Sequence, residues 1–198
     1  CRGLTGELII PAGVTSLANS VFSGCTGLTG KLIIPDGMTS IGSWAFEGCS
    51  GLTGELIIPN RVKYIGEQAF RDCYGLTGEL IIPNSVMSIG WMTFYNCSGL
   101  TSIEIPDSVT SIGSSAFSGC SRLTSIEIPA SVTSIGSDAF YGCTSLTSVT
   151  FENTSDWWRS TSSTATSGTN IPESDLADPS VAAIYLKSTY CSYYWNRG

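Results

Sequence analysis

The sequence predicts a one-dimensional solenoid of strand-and-turn units, closed at its C-terminal end by a small α+β cap. Three observations predict it. Proline recurs at Pro11, Pro35, Pro59, Pro83, Pro106 and Pro129, phenylalanine at Phe22, Phe46, Phe70, Phe94, Phe117 and Phe140, and cysteine at Cys1, Cys25, Cys49, Cys73, Cys97, Cys120 and Cys143. All three series step by 24 residues and then by 23, so the unit loses one residue after the fourth proline. The pattern then breaks after Phe151, where a tail of different composition begins. A fixed period of this length means that one unit has almost no core of its own and gains stability by stacking on its neighbours.

Each element of the unit follows from its residues. The six-residue strand core reads LTSIEI in the shorter units, Leu100 to Ile105 and Leu123 to Ile128. Alternation turns Ile103 and Ile105 inward and Glu104 outward. The marker proline lacks an N–H and suits a strand end. An apolar residue follows (Val14, Met38, Val62, Val86, Val109, Val132), with Ile or Leu three residues later. A short segment carrying Ala and Phe then leads to the Cys. Too few residues remain there for a full helix, so a tight helical turn is expected. The longer units add Gly6, Gly30, Gly54 or Gly78, expected to open a bulge before the strand.

In the tail, Phe151 fills the last inward strand position and Glu152 replaces the marker proline, letting the chain continue. SDWWRSTSSTATSG reads as a strand running into a polar loop. DPSVAAIYLKS carries a helix start, with Asp178 as N-cap and Pro179 at the first helical position. TYCSYYWNRG reads as an aromatic strand. The end of a solenoid exposes an apolar coil that a cap must cover. Trp157, Trp158, Tyr185, Tyr190, Tyr194 and Trp195 are therefore expected as cap core rather than as a sugar platform. The expected organisation is a solenoid over 1–151 and a capping segment over 152–198. No comparable cap precedes the first unit, so upstream repeats are expected in the full protein, and the uncapped first coil can self-associate.

The unit L-x-x-I-x-I-P-x-x-V-x-x-I-G-x-x-A-F-x-G-C resembles the BspA-type leucine-rich repeat of bacterial surface proteins, which also occurs in some protist surface proteins. The resemblance covers residues 1 to about 151. It implies a leucine-rich-repeat solenoid that is curved, with a concave parallel β-sheet and the short helical turns on the convex side. It also implies a secreted or surface-anchored role in adhesion or protein binding, and it carries over no catalytic residue. Leu17 and Ala18 depart from the usual Ile-Gly, and Thr93 from the usual Ala.

Composition narrows the function classes. The net charge is −7 with no cluster of Lys or Arg, which argues against nucleic acid and anionic membrane surfaces as partners. There is no histidine, the commonest catalytic base and metal ligand. No apolar run approaches the roughly 20 residues that cross a bilayer, so membrane insertion is not expected. No signal peptide is present and the chain starts abruptly, as an excised fragment would. Asn96-Cys-Ser and Asn153-Thr-Ser fit the glycosylation sequon, relevant in a eukaryotic host.

The cysteines admit three readings. Zinc would need a local ligand knuckle, and the ladder has neither C-x-x-C nor His. Equivalent residues of stacked coils lie about 4.8 Å apart with parallel side chains, whereas a disulfide wants Cβ atoms converging at about 3.8 Å. A buried column of free thiols behaving as small hydrophobes is the expectation, with Cys1 as its first rung and Cys191 as a further unpaired thiol. No metal or other cofactor is expected.

Function is sought on the outward strand positions. These are Glu7 and Ile9, Lys31 and Ile33, Glu55 and Ile57, Glu79 and Ile81, then Ser102 and Glu104, Ser125 and Glu127, and Ser148 and Thr150. Stacking makes four exposed isoleucines that pass into two glutamates, an apolar surface rimmed by charge. The alternative is that isoleucine here serves only strand stability. Glu104 and Glu127 form a carboxylate pair, but repetition explains their spacing and nothing differentiates an acid from a base, so no enzyme is expected. Trp44 and Trp91 occupy normally polar positions and are expected to be exposed. The reading is a non-catalytic cell-surface or secreted module that mediates adhesion or protein binding through its concave face. Its partner would be a host matrix protein, another microbial surface or a glycan. The alternative is a structural spacer with no ligand of its own.

Overall fold

The computed structural model describes residues 3–198. Each coil carries a longer strand and a two-residue strand. In chain order these are β1 (Thr5–Ile9) and β2 (Ser16–Leu17), β3 (Gly27–Ile33) and β4 (Ser40–Ile41), β5 (Leu52–Thr53) and β6 (Tyr64–Ile65), β7 (Thr77–Ile81) and β8 (Ser88–Ile89), β9 (Gly99–Glu104) and β10 (Ser111–Ile112), and β11 (Ser125–Ile128) and β12 (Ser134–Ile135), with β13 (Ser148–Phe151) last. The longer strands run parallel as β1-β3-β5 and β7-β9-β11-β13, and single bridges Gly54–Leu76 and Ile57–Ile81 link the two groups. The two-residue strands make a second parallel array, β2-β4-β6 and β8-β10-β12. Sequence pattern missed this second array, because two residues are too short for alternation to show.

Between the arrays lies the core: one buried row each of Leu, Ile, Val or Met, Phe and Cys. Phe22, Phe46, Phe70, Phe94, Phe117 and Phe140 stack with centroids 5.4–5.6 Å apart. The segment carrying Phe has the i→i−3 hydrogen bonds of a tight turn, as in Cys49 N–H to Phe46 O at 3.0 Å. A left-handed residue interrupts it in every coil: Ser20, Trp44, Gln68, Met92, Ser115 and Asp138 have φ between 52° and 57°. This conformation costs about 1–2 kcal/mol for a residue with a Cβ. What it achieves is alternation of the peptide groups along the solenoid axis. The N–H groups of Ser20, Phe22 and Gly24 donate to the carbonyls of Ser43, Ala45 and Glu47 in the next coil, at 2.7–2.9 Å. In the second array the polarity reverses, with Thr39 and Gly42 N–H donating to Thr15 and Leu17 oxygens.

Close coil approach explains residues that the pattern alone leaves unexplained. A Cβ on Gly42, Gly66, Gly113 or Gly136 would meet the preceding coil's backbone at 2.3–2.7 Å. Ala18 holds the equivalent place in the first coil, where no described coil precedes it, and it is exposed. Thr93, in place of Ala, is fully buried and spends its hydroxyl on Gly90 O at 3.0 Å. The recurrent hydroxyls act between coils: Ser108 and Ser131 donate to Val86 and Val109 oxygens at 2.7 Å, and Thr39 to Thr15 O at 2.9 Å. Gly6, Gly30, Gly54 and Gly78 take φ of 82° to 87°, and the β7–β9 register shifts at Gly78/Glu79, where the longer unit meets the shorter.

The C-terminal segment adds β14 (Trp157–Ser160), β15 (Thr169–Asn170), α1 (Glu173–Leu176), α2 (Pro179–Ile184), a π-helical turn over Tyr185–Thr189, and β16 (Tyr194–Arg197). Strand β16 pairs antiparallel with β12 and β14, so the second array ends in the order β12-β16-β14-β15. Helix α2 packs against β13. Asp178 caps α2 by accepting from Ser180 and Val181 N–H. Cys191 O accepts the Asp138 N–H at 2.5 Å, the place a following coil would fill. Trp157 and Trp195 are buried against Phe151, with centroids 5.3 and 6.2 Å from its ring.

The phenylalanine column sets an expected stability order. Phe94 is buried between Phe70 and Phe117, so Phe94→Ala should cost about 3–5 kcal/mol in urea unfolding. Phe22 is half-buried and, among the described residues, is stacked on one side, so Phe22→Ala should cost measurably less.

Candidate functional site

Two columns that the sequence singles out can be placed. In the cysteine column, Cys25, Cys49, Cys73, Cys97, Cys120 and Cys143 are buried and unpaired, as is Cys191 in the cap, while Cys1 lies outside the described residues. The thiols also make directed contacts. Five donate to the carbonyl of a phenylalanine one coil back: Cys49 to Phe22, Cys73 to Phe46 and Cys97 to Phe70 at 3.1 Å, Cys120 to Phe94 at 3.4 Å and Cys143 to Phe117 at 3.2 Å. The column is thus a row of inter-coil S–H···O bonds as well as packing, a contact that spacing alone does not reveal. Burial pushes the Cys49 and Cys143 thiols up to about 12, and burial with a neighbouring cysteine raises Cys73, Cys97 and Cys120 well above the ordinary value.

The second column lies on the longer sheet. Alternation buries Leu32, Leu56, Leu80, Ile103 and Ile126 and leaves the residues on either side of them in water, apart from the half-buried Ser102. Ile9, Ile33, Ile57 and Ile81 are 79%, 60%, 56% and 49% exposed, the reverse of the usual burial of isoleucine. Ile9 pairs with Ile33 and Ile57 with Ile81, and Ile81 then pairs with Glu104, so the apolar row runs directly into the acidic one. Glu127 follows, opposite Thr150. Glu7, Lys31, Glu55 and Glu79 stand exposed beside the isoleucines.

At the acidic end is an open concavity of about 500 Å³ lined by Glu79, Asn84, Glu104, Asp107, Glu127 and Glu152. Sequence reasoning missed Asn84, Asp107 and Glu152 as members. Asn84 and Asp107 directly follow marker prolines and Glu152 stands in a proline's place, so their alignment was the available signal. Glu152 accepts the Ala130 N–H at 2.8 Å. Among the described residues the ion pairs belong to Arg71, with Glu47 and Asp72, and none involves Glu79, Glu104 or Glu127. No three His, Cys, Asp or Glu side chains among the described residues are placed to hold a metal ion. None of the described helices is long and apolar enough to cross a membrane.

Elsewhere, Trp91 is 42% exposed with Tyr64 and Met87 in its region of the repeat, while Trp44 is half-buried at its left-handed position. Of the six cap aromatics, Trp157 and Trp195 are buried and Trp158, Tyr185, Tyr190 and Tyr194 are half-buried.

With this geometry in hand, comparison with known proteins is decisive on family. A profile described as "BspA type Leucine rich repeat region (6 copies)" matches residues 1–121, 52–162 and 76–188. The chain belongs to the BspA-type leucine-rich-repeat family. Among solved structures, a leucine-rich cell surface protein of Faecalibacterium prausnitzii A2-165 is 32% identical with a TM-score of 0.59, covering 77% of this BspA-type chain and 48% of its own. This chain therefore spans about half the length of that protein. The T. pallidum leucine-rich repeat protein is 24% identical with a TM-score of 0.57, covering 71% of this chain and 77% of its own, and shows the shared fold. No curated protein matches the chain.

The thiols give a pH-dependent expectation. Because the folded state holds their protons more tightly than the unfolded state, whose cysteines titrate near about 8.5, their contribution is fully present below that value. It should fall as pH rises from there toward about 12. Urea unfolding at about pH 8 and about pH 10.5 should show the loss. Thiol reagents should label the native protein slowly and the unfolded protein at once.

Proposed function

We propose that this chain is a surface-displayed binding module whose longer sheet carries a protein partner without catalysing a reaction on it. The exposed column Ile9, Ile33, Ile57 and Ile81, running into Glu104 and Glu127, carries this reading. Its form, an apolar centre with a charged margin, is that of a protein interaction surface. Four large apolar side chains in water contribute little to the fold of this chain, and burying them against a partner would recover that cost. The acidic end favours a partner with basic groups beside its apolar contact and would steer its approach. Display at the cell surface is supported by family membership and by the F. prausnitzii relative, itself a cell surface protein. The absence of any histidine and the lack of an ion pair at Glu79, Glu104 and Glu127 among the described residues support a non-catalytic role.

Surface plasmon resonance of the chain against purified extracellular-matrix proteins tests this. Ile33→Ser with Ile57→Ser should leave urea stability within about 0.5 kcal/mol of the parent while weakening binding roughly tenfold or more. Glu104→Lys with Glu127→Lys should slow association and flatten its dependence on salt. Unchanged binding in both variants would remove the concave face from the reading. A chain that binds no protein in the panel would be a spacer instead.

A further inference from the structure

A separate concavity lies in the cap, away from the longer sheet. It has a volume of about 570 Å³ and sits between the Asp156 corner, β14, the edge strand β15 and the start of α1. That size is within the range of small-ligand sites. Asp156, Trp158, Asn170 and Glu173 bring polar side chains to it, and Gly198 completes the rim.

None of these four side chains is committed to a polar contact among the described residues, unlike the groups that hold the cap together. Trp157 and Trp195 give their indole N–H groups to Asn153 and Tyr190 oxygens. Asp175 takes the Tyr185 hydroxyl, Asp178 caps α2, and the Arg159 guanidinium lies 3.9 and 4.6 Å from the Tyr190 and Tyr193 ring centres. Against this, the Trp158 indole N–H, the Asn170 amide and the two carboxylates make no hydrogen bond to the other described residues. Trp158 takes no part in the aromatic stack of Phe151, Trp157 and Trp195.

Local structure sets the four side by side. Trp158 pairs directly with Asn170 across the β14–β15 ladder, which places indole and amide as neighbours on one sheet face. Asn196 pairs with Trp158 from the other side, and its Nδ2 is buried without a partner. Gly168 closes in on the indole: a Cβ there would meet Trp158 Cε3 at 2.7 Å. Asp156 is held at φ 62°, the one left-handed non-glycine residue among those described that lies outside the repeated turn.

The lining selects its ligand by chemistry. Two carboxylates with no Lys or Arg among the lining residues disfavour anions. A simple cation offers no hydrogen-bond acceptor, so it would satisfy the carboxylates and leave the indole N–H and the amide N–H groups unanswered. A neutral pyranose offers hydroxyl donors for Asp156 and Glu173, oxygens that accept from Trp158 and Asn170, and a C–H face for the ring. We propose that the cap pocket formed by Asp156, Trp158, Asn170 and Glu173 binds an uncharged sugar, independently of the concave face.

Titration calorimetry of the whole chain tests this with glucose, galactose, mannose, N-acetylglucosamine and lactose, with glucuronate and choline as charged controls. Saturable binding of at least one neutral sugar is expected, without binding of glucuronate. Trp158→Ala and Asn170→Ala should each weaken it about tenfold or more. Asn170 is exposed on an edge strand, so Asn170→Ala keeps the test valid if Trp158→Ala fails to fold. The Ile33→Ser, Ile57→Ser variant should bind the sugar as the parent does. Failure of every neutral sugar, binding of choline alone, or affinity that survives both pocket variants or is lost in the concave-face variant would overturn the proposal.

Discussion

Neighbouring coils sit one β-strand spacing apart, and every repeated residue answers to that distance. Beyond its tight turns, no coil satisfies its own backbone: the Phe-bearing turn donates N–H groups forward to the next coil, and the two-residue strands donate back. Any side chain between coils must fit that gap or join it. Gly42, Gly66, Gly113 and Gly136 fit by having no Cβ. Serine and threonine hydroxyls and cysteine thiols join by donating to carbonyls one coil away. The left-handed residues stabilise nothing by themselves and are tolerated because they aim peptide groups along the axis. Asp72 and Asn96 stand where other coils have a left-handed glycine, consistent with the local hydrogen bonding that lets Asp and Asn adopt this conformation.

Such a ladder has to be ended, and the cap ends it by imitation. Strand β16 continues the second array in the opposite direction, Cys191 supplies a carbonyl where the next turn would, and α2 covers the last longer strand. Phe151, Trp157 and Trp195 fill the space with large rings whose indole N–H groups are answered by backbone oxygens. At the other end Leu8, Ile10, Val14 and Phe22 are only partly buried, whereas their copies in inner coils are buried.

Repetition also turns a single residue choice into a surface. One outward isoleucine per coil would be unremarkable, but stacked coils make it a stripe, and the loss of one residue from the unit coincides with the change of that stripe from Ile81 to Glu104. The cap pocket has the opposite origin. Its groups come from four separate points in a non-repeating segment, with Trp158 beside a tryptophan that faces the core.

The sequence by itself determined the solenoid, its period, the inward rows, the outward Ile and Glu columns, the Asp178 cap and the final strand. Each is recorded by residues adjacent or evenly spaced in the chain, and periodicity exposes such patterns directly. Only the tertiary structure decided the second strand array, the left-handed turn residues, the thiol bonds to phenylalanine carbonyls, the membership of Asp107 and Glu152 in the acidic concavity, and which of the paired tryptophans faces the core. All of these depend on which backbone group of one coil meets which atom of another. Sequence spacing states that two residues recur, and only the stacked coils state what lies between them.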